Sequence, residues 1–161
     1  MAKAVVMVDP LTMELEPEPI RPEFILSGSP VARSKKVATS PDWTSSTVVW
    51  DCTPGSFHWH YGNEETIYVL EGEAFMMQKN GEERRFAAGE VGFFYAGFAC
   101  DWRITKHFRK VAVIRTPVWA PVGFCLKATE KLRVMVGLSK RSTLLVLLVA
   151  GLASVLHYVL R

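Results

Sequence analysis

The chain has 161 residues, the length of one compact domain. Its net charge is only +3, and no run of Lys and Arg is interleaved with aromatics, which sets aside a nucleic-acid partner. The three cysteines, Cys52, Cys100 and Cys125, form no Cys-x-x-Cys pair. The apolar stretch Ala4–Val8 is stopped by Asp9-Pro10 before it reaches signal-peptide length, so the cysteines read as reduced thiols in a cytosolic compartment.

Residues 1–45 hold Pro10, Pro17, Pro19, Pro22, Pro30 and Pro41, and proline prevents a continuous helix or central strand. An extended arm is expected there, with "FILSGSP" adding a short edge strand. Residues 46–116 are β-rich throughout. The runs "STVVWD", "SFHWHY", "TIYVLEG", "EAFMMQK", "ERRFAA", "EVGFFYA", "CDWRIT" and "RKVAVIR" are short and separated by turn residues. Asn80-Gly81 in "KNGE" predicts a type I′ hairpin. Many short strands at near-even spacing argue for an antiparallel sandwich or barrel such as a jelly roll.

Pro117 and Pro121 are expected to end the sheet. Residues 117–141 then form a linker with a short amphipathic helix in "FCLKATEKLRVMVGLSK". Residues 142–161 carry an apolar run from Thr143 to Leu160, interrupted only by Ser154 and His157 among polar residues. At about 1.5 Å per residue it spans roughly 27 Å, close to the roughly 30 Å hydrocarbon core of a bilayer. Lys127, Lys131, Arg133, Lys140 and Arg141 precede it, and only Arg161 follows. The expectation is a single-pass transmembrane helix with the main domain facing the cytoplasm. A buried core helix is the competing reading.

The stretch "GSFHWHYGNEETIYVLEG", Gly55–Gly72, carries the candidate chemistry. His58 and His60 share one face of a strand, while Phe57, Trp59 and Tyr61 share the other. A carboxylate after the next turn, at Glu65, would fold back toward the imidazoles and complete part of a metal site. Glu64 is its neighbour, and either carboxylate could serve in this turn. The aromatic face exceeds what a solvated face carries. Either the N-terminal arm or a second subunit must cover it, and a homodimer is expected. Trp50, Tyr68, Phe75, Tyr95 and Trp102 are candidates for an aromatic pocket, each with core packing as the alternative. Asp51 and Asp101, beside the pocket cysteines, are candidate catalytic acids, but edge or turn positions are the favoured reading.

His58, His60, Glu65 and Gly72 match the spacing of the first motif of the cupins, which this chain resembles. Gly89 and Gly97 match the second motif, but Tyr95 replaces its Pro, Cys100 its third metal-binding His and Ile104 its Asn. "WDCTPGSF", "YVLEGE", "FFYAGFACDWRI" and "FRKVAVI" are similar to the subgroup of ureidoglycine aminohydrolase and ethanolamine-utilisation cupins. The resemblance covers roughly Val31–Arg115. It implies an all-β double-stranded β-helix, the cupin jelly roll, with the histidine face turned into the barrel mouth. It also implies a divalent ion (Mn, Fe, Ni or Zn) on His58, His60 and Glu65, with Cys100 where the fourth ligand stands. Cys100 is either that ligand or a small buried hydrophobe.

Fold does not fix activity. Two functions stand: a membrane-anchored cupin that binds a small molecule, through a metal or without one, and a metal-dependent small-molecule enzyme resembling ureidoglycine aminohydrolase.

Overall fold

A computed structural model describes residues 5–137 of the chain. The expected membrane span over 142–161 lies outside the described residues, and among the described residues no helix is long and apolar enough to cross a membrane. A break falls between Pro117 and Val118 and separates two units.

The first unit is mostly β. Its strands are β1 (Glu16–Pro17), β2 (Ile25–Gly28), β3 (Ala32–Thr39), β4 (Ser45–Cys52), β5 (Gly55–His60), β6 (Glu64–Met77), β7 (Glu83–Ala87), β8 (Val91–Phe94) and β9 (Ala99–Arg115). All pairings are antiparallel, in one sheet ordered β1-β3-β4-β9-β5-β2. The long strand β9 holds β4 and β5 along one edge and β6 along the other. β6 in turn carries β7 and β8. Two long strands, each serving several short ones, curl the sheet into a half-barrel, consistent with the expected jelly roll.

Several boundaries differ from the sequence reading. β6 joins "TIYVLEG" to "EAFMMQK", and β9 joins "CDWRIT" to "RKVAVIR". Each strand stays paired through the corner because β6 takes up the bend, with register shifts at Val69/Glu71 and Gly72/Ala74. Gly72 makes that corner possible: its φ is +76°, and a Cβ there would lie 1.8 Å from the His107 carbonyl oxygen. The arm contributes more than an edge strand. β3 pairs with β4 along its length, although "ARSKKVAT" has too polar a pattern to announce a strand. β1 contains Pro17 and lies at the sheet edge, where a missing N–H costs no ladder bond.

The 78–82 hairpin is not type I′. Gly81 N–H donates to the Gln78 carbonyl and Gln78 N–H to the Glu82 carbonyl, with Gly81 at φ +81° and Asn80 not at positive φ. That is a type I turn closed by a left-handed glycine, the three-residue alternative to the two-residue loop.

The core gathers Trp50, Phe57, Ile67, Phe94, Trp102 and Phe108 with their neighbours from both halves of the curled sheet. In the second unit, α1 spans Ala120–Val136 and stops at Gly137, which has φ +67°. It starts earlier than expected, with Pro121 in its first turn, where proline loses no helical hydrogen bond. It is not amphipathic: the exposed Phe124, Leu126, Leu132, Val134 and Met135 lie on several sides of the helix among its charged residues.

Candidate functional site

Strand β5 sets the site by its alternation. Phe57 pairs with Trp102, His58 with Asp101, Trp59 with Cys100 and His60 with Ala99. Phe57, Tyr61, Trp102 and Cys100 are buried, and Trp59 packs against the core with an edge-on contact to Phe57 at 6.0 Å. The aromatic face therefore points inward, while His58 is half-exposed and His60 exposed on the other side. This orientation is the reverse of the one expected.

The reason is energetic. A large aromatic removes about 150–250 Å² from water, on the order of 4–6 kcal/mol at about 25 cal/mol per Å². A one-residue slip would expose all three rings to bury two imidazoles. The inward face also removes the reason for a covering second subunit at Phe57, Trp59 and Tyr61.

The expected metal set is divided by that choice. His58 Nδ1 lies 2.7 Å from Asp101 Oδ1, which occupies one ring nitrogen. Glu65 is inside the sheet and accepts from Lys110 Nζ at 2.7 Å. Cys100 is also inside, and burial followed by the Asp101 charge pushes its thiol up to about 11. Burial likewise raises Cys52 to about 12. Both behave as small hydrophobes rather than thiolates. Among the described residues no group of three or more His, Cys, Asp and Glu side chains is placed to hold a metal ion. The residues at the cupin-motif positions do not fit a shared ion.

The aromatic candidates divide in the same way. Trp50 and Trp102 face inward. Tyr68 and Tyr95 are exposed, Tyr95 lying edge-on to Phe93 at 5.0 Å. Phe75 sits under the Arg103 guanidinium, 4.2 Å from its ring centre.

The interior holds a different polar constellation. Lys110 Nζ lies 5.0 Å from the centre of the Trp50 ring and 5.7 Å from that of Trp102, while bonded to Glu65. Burial, then the Glu65 charge, raises the Tyr61 hydroxyl pKa well above its ordinary value. The Tyr61 hydroxyl and Trp102 Nε1 are buried without a hydrogen-bond partner of good geometry, although the indole N–H lies near the Tyr61 oxygen. Trp50, Phe57, Trp59, Tyr61, Trp102 and Lys110 enclose a cleft of only ≈ 10 Å³, about the space one water needs. Trp50 and Trp59 also line an open groove of ≈ 380 Å³ to which the arm contributes Glu18, Ile20, Arg21 and Phe24, and which His58 and His60 border.

Sequence reasoning missed Lys110 and Tyr61 as interior polar groups. A signal existed for Lys110: in "FRKVAVI" it keeps phase with Phe108, Ala112 and Ile114, which all pack inward. Its partner Glu65 comes only from the β6–β9 register.

Asp51 is 1% exposed and anchors a second network. It accepts from Arg33 Nε and Nη2 at 2.9 and 2.7 Å and from Arg109 Nη1 at 3.1 Å. Arg109 also donates to the Pro10 and Met13 carbonyls at 2.8 and 2.7 Å. This cluster fastens the arm across the sheet and is not the edge or turn position expected of Asp51.

Residues 39–112 match the family of EutQ-like cupin domains. Among solved structures, a protein of unknown function of the DUF861 family from Pseudomonas syringae pv. tomato is 27% identical with a TM-score of 0.61. The match covers 66% of this chain and 46% of that one. This chain thus spans about half the length of that relative. The Clostridium difficile EutQ protein is 18% identical with a TM-score of 0.55, over 70% of this chain and 88% of that one. A cupin-like protein from Thermotoga maritima is 14% identical with a TM-score of 0.53, over 66% and 81%. No curated protein matches the chain. The β unit has the cupin fold.

Proposed function

We propose that this cupin-domain protein binds a small molecule in the aromatic interior of its curled sheet, without a metal on His58 and His60. The ligand presents a carbonyl or carboxylate oxygen. The observation that carries the reading is the pair of buried polar atoms beside Lys110, the Tyr61 hydroxyl and Trp102 Nε1, neither of which has a hydrogen-bond partner of good geometry. A buried polar atom left unpaired costs about 1–3 kcal/mol, and an acceptor oxygen would recover that cost. Trp N–H only donates, and Lys110 keeps ammonium hydrogens beyond the one given to Glu65. The body of the ligand would fill the ≈ 380 Å³ groove, which shares Trp50 and Trp59 with the cleft; in this reading those two rings must turn aside to admit its oxygen to the donors.

The test is calorimetric titration with short carboxylic acids and amides. Wild type should bind a member of the panel. Tyr61→Phe and Trp102→Phe should each lose about 1–3 kcal/mol of affinity with unchanged far-UV circular dichroism. Unaltered affinity in both variants refutes the reading.

The metal-dependent enzyme resembling ureidoglycine aminohydrolase has no such support, because its four candidate ligands lie on two faces of the sheet. Membrane anchoring by residues 142–161 is part of the proposal. It is supported by the length and apolarity of the run and by the basic residues before it, which favour a cytoplasmic side for the cupin domain. Full-length protein should stay with membranes after carbonate washing, whereas protein ending before Thr143 should not.

A further inference from the structure

We infer that the turn between β3 and β4 docks on the lipid bilayer through Trp43, with the indole seated in the interfacial layer. The inference rests on the proposed anchoring by residues 142–161 and adds a contact made by the cupin domain itself.

Trp43 is 83% exposed and has φ +62°, the only non-glycine positive φ among the described residues. A bulky residue pays about 1–2 kcal/mol for that conformation, which glycine would adopt at no such cost. The turn around it is fixed. Asp42 Oδ1 accepts from the Ser40 hydroxyl at 2.5 Å, the Thr44 hydroxyl at 3.0 Å and the Thr44 N–H at 3.2 Å. Those hydrogen bonds, Ser40 first, hold the Asp42 carboxyl below its ordinary pKa. Trp43 N–H donates to the Ser40 carbonyl at 3.0 Å, and Ser45 N–H to the Ser40 hydroxyl at 2.9 Å. The loop thus presents a large apolar ring to solvent on a preorganised tip, which lowers the ordering cost of docking.

Its location selects the partner. Thr116 N–H donates to the Thr44 carbonyl at 2.7 Å, and Ser45 pairs with Arg115. Trp43 therefore stands one residue from the backbone contact at which the chain leaves the β unit, and the apolar run follows in sequence. Lys127, Lys131, Lys140 and Arg141 lie between and complement an anionic leaflet. An indole, apolar in body with one polar N–H, suits the headgroup layer.

The experiment reconstitutes the full chain in phosphatidylcholine/phosphatidylglycerol vesicles with brominated acyl chains, which quench nearby indoles. Wild type and Trp43→Phe should float equally with the vesicles. The bromolipid-quenchable part of the emission should fall in Trp43→Phe. If both float and the quenchable emission is the same, Trp43 does not touch lipid and the inference is overturned while the anchor stands. If wild type does not float, the anchor reading fails and takes the inference with it. If quenching is unchanged but Trp43→Phe shifts the oligomeric mass by light scattering, the tip docks on a second copy, which also overturns it.

Discussion

Replacing Lys110 with Met tests the interior polar site most directly. In wild type the ammonium is 2.7 Å from Glu65 Oε1, with the two side chains 8% and 10% exposed. Met keeps most of the volume and removes the charge, so the Glu65 carboxylate is left buried without its cation. Breaking a buried pair from one side costs about 3–5 kcal/mol. Losing the ammonium over Trp50 and Trp102 removes a further contribution of about 0.5–2 kcal/mol. The expected destabilisation is therefore about 3.5–7 kcal/mol, read from urea unfolding followed by far-UV circular dichroism. The double variant Lys110→Met/Glu65→Leu replaces the whole pair by apolar groups, which is often neutral. It should return to within about 2 kcal/mol of wild type. Two results refute the reasoning: a single variant within about 1 kcal/mol of wild type, which means the pair is not desolvated, or a double variant as unstable as the single, which means the charges are not coupled.

Three further predictions follow from particular contacts. Asp51→Ala should cost about 3–5 kcal/mol, because it leaves the nearly buried Arg109 facing Arg33 without their shared carboxylate; limited proteolysis should also cut within residues 5–15 once the arm loosens. Gly72→Ala should cost about 2–5 kcal/mol from positive φ plus the clash with the His107 carbonyl, and a thermal melt within a degree or two of wild type would contradict the corner geometry. The raised Cys52 and Cys100 thiols, at about 12 and about 11, keep their protons longer in the folded than in the unfolded state. Stability is therefore complete below pH ~8.5 and falls as pH rises from there toward 12; an Ellman titration at pH 8 should label the exposed Cys125 at once and the other two only on unfolding.

The sequence by itself determined the β architecture. The short alternating runs, the glycines at the turns and the spacing Gly55–Gly72 each encode local backbone geometry, and local geometry is what period-two patterning reports. The same spacing announced His58, His60 and Glu65 as one site, and there the tertiary structure decided otherwise. On a strand the two faces are interchangeable until something buries one of them. Phe57 and Trp59 on β5, with Tyr61 just past its end and Phe57 meeting Trp102 across the ladder, supply far more apolar area than the imidazoles, so the aromatic face went in and the histidines went out. Lys110 and Glu65 lie 45 positions apart, and neither names the other in sequence. Their pairing exists because β6 runs antiparallel to β9 and both turn the same face toward Trp50 and Trp102, where a charge must find its opposite or stay in water.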